Sequence, residues 1–278
     1  IGFGILAGMW PFHTWSPDGH VAAPTSVSMV HAGVLMKLGA FGIIRIGMAL
    51  LPEGANSLMP LLMILGCVNV IYGAFSALGQ TDLKYVVGYS SVSHMGYVLM
   101  GLASMEHLGL TGAVYQMFSH GIMTALFFLA VGAIYHSMHT RDILILKGII
   151  KKMPYASIFF VFAGLTSLGL PGLSGFAAEI LIFLGVFKSY GSLGVLFGSL
   201  AVAGAGITAI YILRLVSKVF FGRPDQNINN ILDTTKFENM AGIILVVLIL
   251  FGGLYPLPFI DMITSGVTPI LNNILGAL

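Results

Sequence analysis

The chain has 278 residues, of which 57% are hydrophobic and 8% charged, and its mean hydropathy is +0.98. A soluble domain carries about 25% charge, so there is too little polar surface here to coat a water-soluble globule, and lipid is the expected outer solvent. The net charge is only +2 with no basic stripe, which argues against a nucleic-acid partner, and the lone Cys67 excludes an internal disulfide or a cysteine metal cage.

A helix needs about 20 apolar residues to cross a hydrocarbon core about 30 Å thick. The chain opens at Ile1 inside an apolar segment, with no signal peptide visible, and residues upstream of it are expected. The opening piece covers roughly 1–12, and full spans follow at roughly 22–50, 58–79, 85–104, 110–136, 157–187, 191–219 and 240–257. A short apolar tail comes last, broken by Pro256 and Pro258. The fold class is therefore all-α, a polytopic transmembrane helix bundle.

Between the first two segments lies PFHTWSPDGH, residues Pro11 to His20. His13, Asp18 and His20 there read either as a proton-uptake point or as a solvated turn flanked by Trp10 and Trp15 as interfacial anchors. The span at 22–50 is long and is accommodated by tilt. Lys37 sits near its middle, with apolar residues dominating on both sides; snorkelling to an interface is the alternative. His31, in the same span, reads as structural. Asp82 and Lys84 precede the span at 85–104 and read as helix caps at the membrane surface. His94 lies in SSVSHMG (90–96), and His120 in MFSHG (117–121). Residues 157–187 would extend about 46 Å as one helix, and SLGLPGLSG (167–175) falls in their middle. Pro171 removes a backbone donor and the glycines weaken the helix, so an interrupted helix is expected, a recurring mark of transport sites. Glu179 lies one to two turns beyond that break.

Orientation follows from the basic residues. If each segment crosses once, one side carries Lys84, Arg141, Lys147, Lys151, Lys152, Lys218, Arg223 and Lys236, and the other only Arg45 and Lys188. The first side is expected to be cytoplasmic, with the C-terminus outside.

A charge at the bilayer centre costs roughly 2.5–3.5 kcal/mol even on the lenient scale, so Lys37, His94, His120 and Glu179 are candidates for function. Histidine titrates close to neutrality. Because burial disfavours the charged form of any group, a lysine or glutamate held there can exchange a proton at modest cost. A lone buried histidine is more often structural, and Glu179 could simply hold backbone donors at the break. Four such groups in a chain so poor in charge favour a polar path.

Several motifs together resemble one family. They are PFHTWSPDGH (11–20), APT (23–25), TDLK (81–84), GYSSVSHMG (88–96), SHG (119–121), HTRD (139–142) and GLPGLSGF (169–176). They are similar to the antiporter-like membrane subunits of respiratory complex I (NADH-quinone oxidoreductase), most nearly the subunit M, or mitochondrial subunit 4, branch. The likeness runs from Gly2 to about Arg223. It implies a fourteen-helix fold with two inverted five-helix repeats, each containing one broken helix. This chain would then begin in the broken helix of the first repeat and hold the end of that repeat (1–50), the second repeat (58–219) and a C-terminal helix and tail (220–278). The resemblance further implies a central lysine at Lys37, relay histidines at His94 and His120, a cytoplasmic-side histidine at His13 and an exit-side glutamate at Glu179. One position departs from the pattern: seven residues before His13 the family places a lysine, paired with a glutamate two spans upstream, and here Leu6 stands there. Leucine takes no proton, so the first half-channel lacks its switch.

The expected function is proton translocation by a membrane subunit of a redox-driven complex in a bacterial or archaeal inner membrane. Other membrane subunits are its expected partners, with quinone chemistry located in them and no cofactor or metal in this chain. The nearest alternative is a subunit of a multi-subunit cation/proton antiporter or membrane-bound hydrogenase. A rhomboid-type protease, suggested by GLSG at 172–175, needs a later histidine, and none follows His139. A b-type haem would have to use His107 and His120, which lack a second matching pair.

Overall fold

In a computed structural model of the chain, residues 1–222 and 232–276 are described. Arg223, counted above with the basic side, lies outside the described residues. Apolar side chains and the need to satisfy every backbone N–H and C=O without water force helix wherever the chain meets lipid. The elements are α1 (Gly2–Leu6), α2 (Trp15–Ala22), α3 (Thr25–Met48), α4 (Pro52–Gly79), α5 (Leu83–Ala103), α6 (His107–Met138), α7 (Pro154–Ser167), α8 (Ser174–Lys188), α9 (Ser192–Val219), α10 (Lys236–Leu254) and α11 (Leu257–Gly276). Of these α3, α4, α6, α9 and α10 are each long and apolar enough to cross a membrane.

Local sequence sets the boundaries. Pro52 and Pro154 occupy first-turn positions, where a missing N–H costs nothing. Asp82 caps α5, its carboxylate accepting from the N–H of Lys84 at 2.7 Å. Thr235 and Glu238 start α10 as a reciprocal capping box. The long segment at 157–187 is interrupted as expected: α7 stops at Ser167, Gly169 and Gly172 adopt positive φ (68° and 93°), and α8 starts at Ser174.

Three expectations need correction. The opening segment, read from its residues as a half-span, is a broken helix, α1 and α2, as the resemblance implies; His13 and His20 are both buried, which leaves no solvated turn at either. The free backbone at this first break is taken up by buried Asn69 of α4, which accepts from Trp10 N at 2.6 Å and donates to Gly8 O at 2.9 Å. The span at 22–50 is not merely tilted: α3 contains wide π turns at His31–Leu35 and Ile43–Met48. The tail is a 20-residue helix, α11, because Pro258 falls in its first turn, where proline is tolerated. Val267, Ile270, Leu271 and Ile274 give it one buried face.

α5 is the axis of the bundle, buried along almost its whole length and packed by α2, α4, α6 and α8. Small residues allow this, since helix association in lipid depends on close van der Waals contact. A Cβ at Gly73 would come within 2.6 Å of Ser93 N, and one at Gly96 within 2.7 Å of Val70 N.

The connections bearing most of the basic residues meet at one end of the bundle. Thr81 O accepts from Ile143 N at 2.8 Å, Arg141 pairs with Asp82 at 3.1 Å, and Phe220 O accepts from Ile150 N at 3.3 Å. Lys84 was expected at the surface with Asp82. Its side chain is instead buried and donates to Ala23 O at 2.6 Å, tying α5 to the α2–α3 corner.

Replacing Gly96 by leucine should destabilise the bundle by about 1–3 kcal/mol through overpacking, whereas leucine at Gly206, which faces open space, should leave it unchanged. Thermal unfolding of the two purified variants in detergent checks this; equal midpoints would refute the close-packed α4–α5 seam.

Candidate functional site

The four groups singled out by their cost form a contiguous run through the bundle. It begins at Lys37, in the α-helical stretch between the two π turns of α3. π turns recur at functional sites because they displace backbone and side chains from regular register. Lys37 is 6% exposed; its ammonium donates to Ala32 O one turn back and meets Nδ1 of His120 at 2.6 Å. α3 and α6 come this close because glycines face each other, a Cβ on Gly121 falling 2.9 Å from Gly33 O.

From His120 the run passes to His94 on α5, the two ring centroids 5.3 Å apart. Nε2 of His120 is buried without a partner, so the rings face each other without a direct hydrogen bond. His94 is held on both nitrogens. Its Nε2 lies 2.9 Å from Ser167 Oγ, on the last residue of α7, and its Nδ1 lies 3.2 Å from the Gln116 side-chain nitrogen. With the Gln116 amide nitrogen as the donor, Nδ1 accepts and the ring proton sits on Nε2, toward Ser167.

Glu179 completes the run on α8. Its Oε1 is 3.4 Å from the same His94 Nδ1, outside hydrogen-bond alignment. Gln116 and Glu179 therefore converge on one nitrogen. The break in the α7–α8 segment makes this possible: Gly169, at positive φ, leaves room for the carboxylate, and a Cβ there would lie 2.7 Å from Glu179 Oε2. Ser174 at the start of α8 is fixed to Ser119 of α6, hydroxyl to hydroxyl at 2.8 Å.

His13 is not among these groups. It is buried with both ring nitrogens unpartnered, and its ring neighbours are Tyr72, edge-on at 4.9 Å, and Tyr89 at 6.5 Å. His20 lies 4.3 Å, centroid to centroid, from His31, which also stacks on Trp15 at 5.2 Å. Leu6, at the position of the expected lysine, is half-buried on α1, and α1 packs on α3 at Gly39.

Sequence reasoning missed Gln116 and Ser167. The available signals were spacing and place: Gln116 lies four residues before His120, on the same face of α6, and Ser167 immediately precedes the break.

Comparison with known proteins follows the same outline. The sequence profile of the NADH:quinone oxidoreductase/Mrp antiporter transmembrane family matches residues 1–205. The NADH-quinone oxidoreductase subunit M of Rhodobacter capsulatus is 39% identical over 272 residues, which is 98% of this chain and 52% of that protein. An NAD(P)H-quinone oxidoreductase chain 4 of Thermosynechococcus vestitus is 40% identical, over 100% of this chain and 53% of that one. Among solved structures, a chain of respiratory complex I from Thermus thermophilus superposes with a TM-score of 0.88 at 27% identity, covering 97% of this chain and 57% of that chain. The chain thus spans about half the length of the curated relatives it matches.

The geometry at His94 gives a spectroscopic expectation. Nitrogen-15 solid-state NMR of the membrane-embedded protein should find His94 protonated on Nε2, and Gln116→Leu should raise the Nδ1-protonated form. A ring that already carries its proton on Nδ1 in the unsubstituted protein would refute the assignment.

Proposed function

Because the chain belongs to the NADH:quinone oxidoreductase/Mrp antiporter transmembrane family, we propose that it is the proton-conducting part of an antiporter-like subunit of a NADH-quinone oxidoreductase. The observation that carries this reading is the run of buried proton-exchanging side chains from Lys37 through His120 and His94 to Glu179. Residues 1–50 are read as the end of a first repeat, 58–219 as a second, and 220–278 as a C-terminal helix and tail.

In the relay, a proton on Lys37 Nζ passes to Nδ1 of His120 along the 2.6 Å contact. His120 releases a proton from Nε2 toward His94, through a bridging water or a turn of the ring. His94 takes that proton on Nδ1, its one open nitrogen, and delivers it from there to Oε1 of Glu179, while Nε2 keeps its own proton toward Ser167. The amide of Gln116 occupies Nδ1, so passage of a proton through His94 requires that hydrogen bond to open. This gives the path a gate that a change in nearby charge can operate. Net movement in one direction comes from coupling to the rest of the complex, where electron transfer to quinone takes place; this chain contributes the proton path and no redox group. His13 is assigned to proton uptake on the side of the basic connections, which is read as cytoplasmic.

The named relatives are bacterial quinone oxidoreductase subunits, which supports a multi-subunit complex in a bacterial inner membrane. The first repeat is read as modified, since Leu6 cannot exchange a proton where the family pattern has a lysine.

Glu179→Gln and Lys37→Ala should each lower NADH-driven proton pumping by about tenfold, the equivalent of 1.4 kcal/mol on the limiting step, with the complex still assembled. Acidification of sealed inverted vesicles measures it, and undiminished pumping in either variant would overturn the relay. Leu6→Lys is expected to change the pumping rate through the first repeat; an identical rate across the working pH range would show that the position is no dormant switch.

A further inference from the structure

A cavity of about 240 Å³ opens at the end of the bundle where the basic connections meet, away from the relay. Its walls are the last turn of α4 with Gln80 and Thr81, Ile143 and Leu144 of the α6–α7 connection, and the last turns of α9. Two cations reach it, Arg214 and Lys218, one helical turn apart on α9, and no carboxylate among the described residues lines it. The acids flanking the lining segments are engaged elsewhere: Asp82 pairs with Arg141 at 3.1 Å, and Asp142 accepts from Leu144 N at 2.8 Å. Neither Arg214 nor Lys218 has an acidic partner among the described residues. On the inner side Tyr211 presents its ring, its hydroxyl turned away to Ser90 at 2.7 Å.

We propose that this cavity binds the headgroup of an anionic glycerophospholipid, with its phosphate between Arg214 and Lys218. Guanidinium forks match phosphate oxygens, and basic pockets between transmembrane helices are suited to anionic headgroups. The rest of the wall favours a glycerol headgroup over a bare anion. Of the last carbonyls of α4, Ser76 O accepts from the Gln80 side chain at 3.2 Å and Ala77 O from Gln80 N at 3.3 Å, which leaves those of Leu78 and Gly79 without a helical donor to accept from the several hydroxyls of a glycerol headgroup, of which hydrogen phosphate has only one. The rim is apolar at Leu144, which is 62% exposed, so acyl chains continue from it along the apolar outer surface of the bundle. The proposal does not depend on the proton relay.

The test uses the full-length protein in its complex, in mild detergent, with a photoactivatable phosphatidylglycerol as probe. Mass spectrometry should find adducts in the segments around 77–81, 143–144 or 211–218, and adducts confined to other segments would overturn the proposal. Unlabelled phosphatidylglycerol should suppress the labelling, while phosphatidylcholine and inorganic phosphate should not; suppression by inorganic phosphate alone would make this a free-anion site and refute the lipid. At about 1 kcal/mol per basic side chain, Arg214→Gln or Lys218→Gln should weaken the probe about fivefold and the pair about thirtyfold. The charge-keeping pair Arg214→Lys and Lys218→Arg should stay within about threefold of the unsubstituted protein. Equal affinity of the neutralised pair and the unsubstituted protein would sink the assignment.

Discussion

In hydrocarbon a polar group without a partner costs several kcal/mol, and the arrangement of this bundle answers to that cost. Both helix interruptions illustrate it. At the first, Asn69 reaches across from α4 to satisfy Gly8 and Trp10. At the second, the ends of α7 and α8 are turned inward, where Ser167 meets His94 and Ser174 meets Ser119. Free backbone at membrane depth survives only where protein encloses it. The enclosed space is where a buried lysine, two histidines and a glutamate can sit together.

Those side chains are placed by close helix approach as much as by their own chemistry. Gly33 against Gly121 brings Lys37 to His120, and Gly169 makes room for Glu179 beside His94. A methyl group at Gly121 would fall 2.9 Å from Gly33 O and one at Gly169 2.7 Å from Glu179 Oε2, so either would push the run of titratable groups apart. The spacing is uneven. Lys37 and His120 are in direct contact, the two histidines face each other across a gap, and Glu179 shares His94 Nδ1 with Gln116. If these groups form the proposed proton path, its loose middle and contested end let small movements of side chains open and close it, without any shift of the helices. Competition between a neutral amide and a carboxylate for one nitrogen makes the outcome sensitive to nearby charge.

The basic end of the molecule is built differently. There the connections are bound to one another by backbone bonds and by the Arg141–Asp82 pair, and Lys84 is drawn into the protein to hold Ala23. Arg214 and Lys218 stand outside this bracing, facing the cavity beside α4. Basic side chains at this end thus divide into those that fasten the fold and those left for the membrane surface.

The sequence by itself determined the class of the protein. Its low charge and 20-residue apolar periods leave membrane helices as the outcome, Pro171 among glycines marks the break, and the isolated Lys37, His94, His120 and Glu179 stand out by cost alone. Only the tertiary structure decided how those four are ordered, because side-chain neighbours across helices leave no trace in spacing along the chain. It also decided what polar but uncharged residues do: Asn69, Gln116 and Ser167 are cheap enough to occur anywhere in a membrane helix, so no single position announced them. Lys84, read as a helix cap at the membrane surface, proved buried; His20, read as either a proton-uptake point or part of a solvated turn, is buried too; and Pro258, read as a breaker, starts a helix. Local chemistry fixes which groups are expensive to bury; which partners make that burial tolerable depends on packing between segments far apart in the chain.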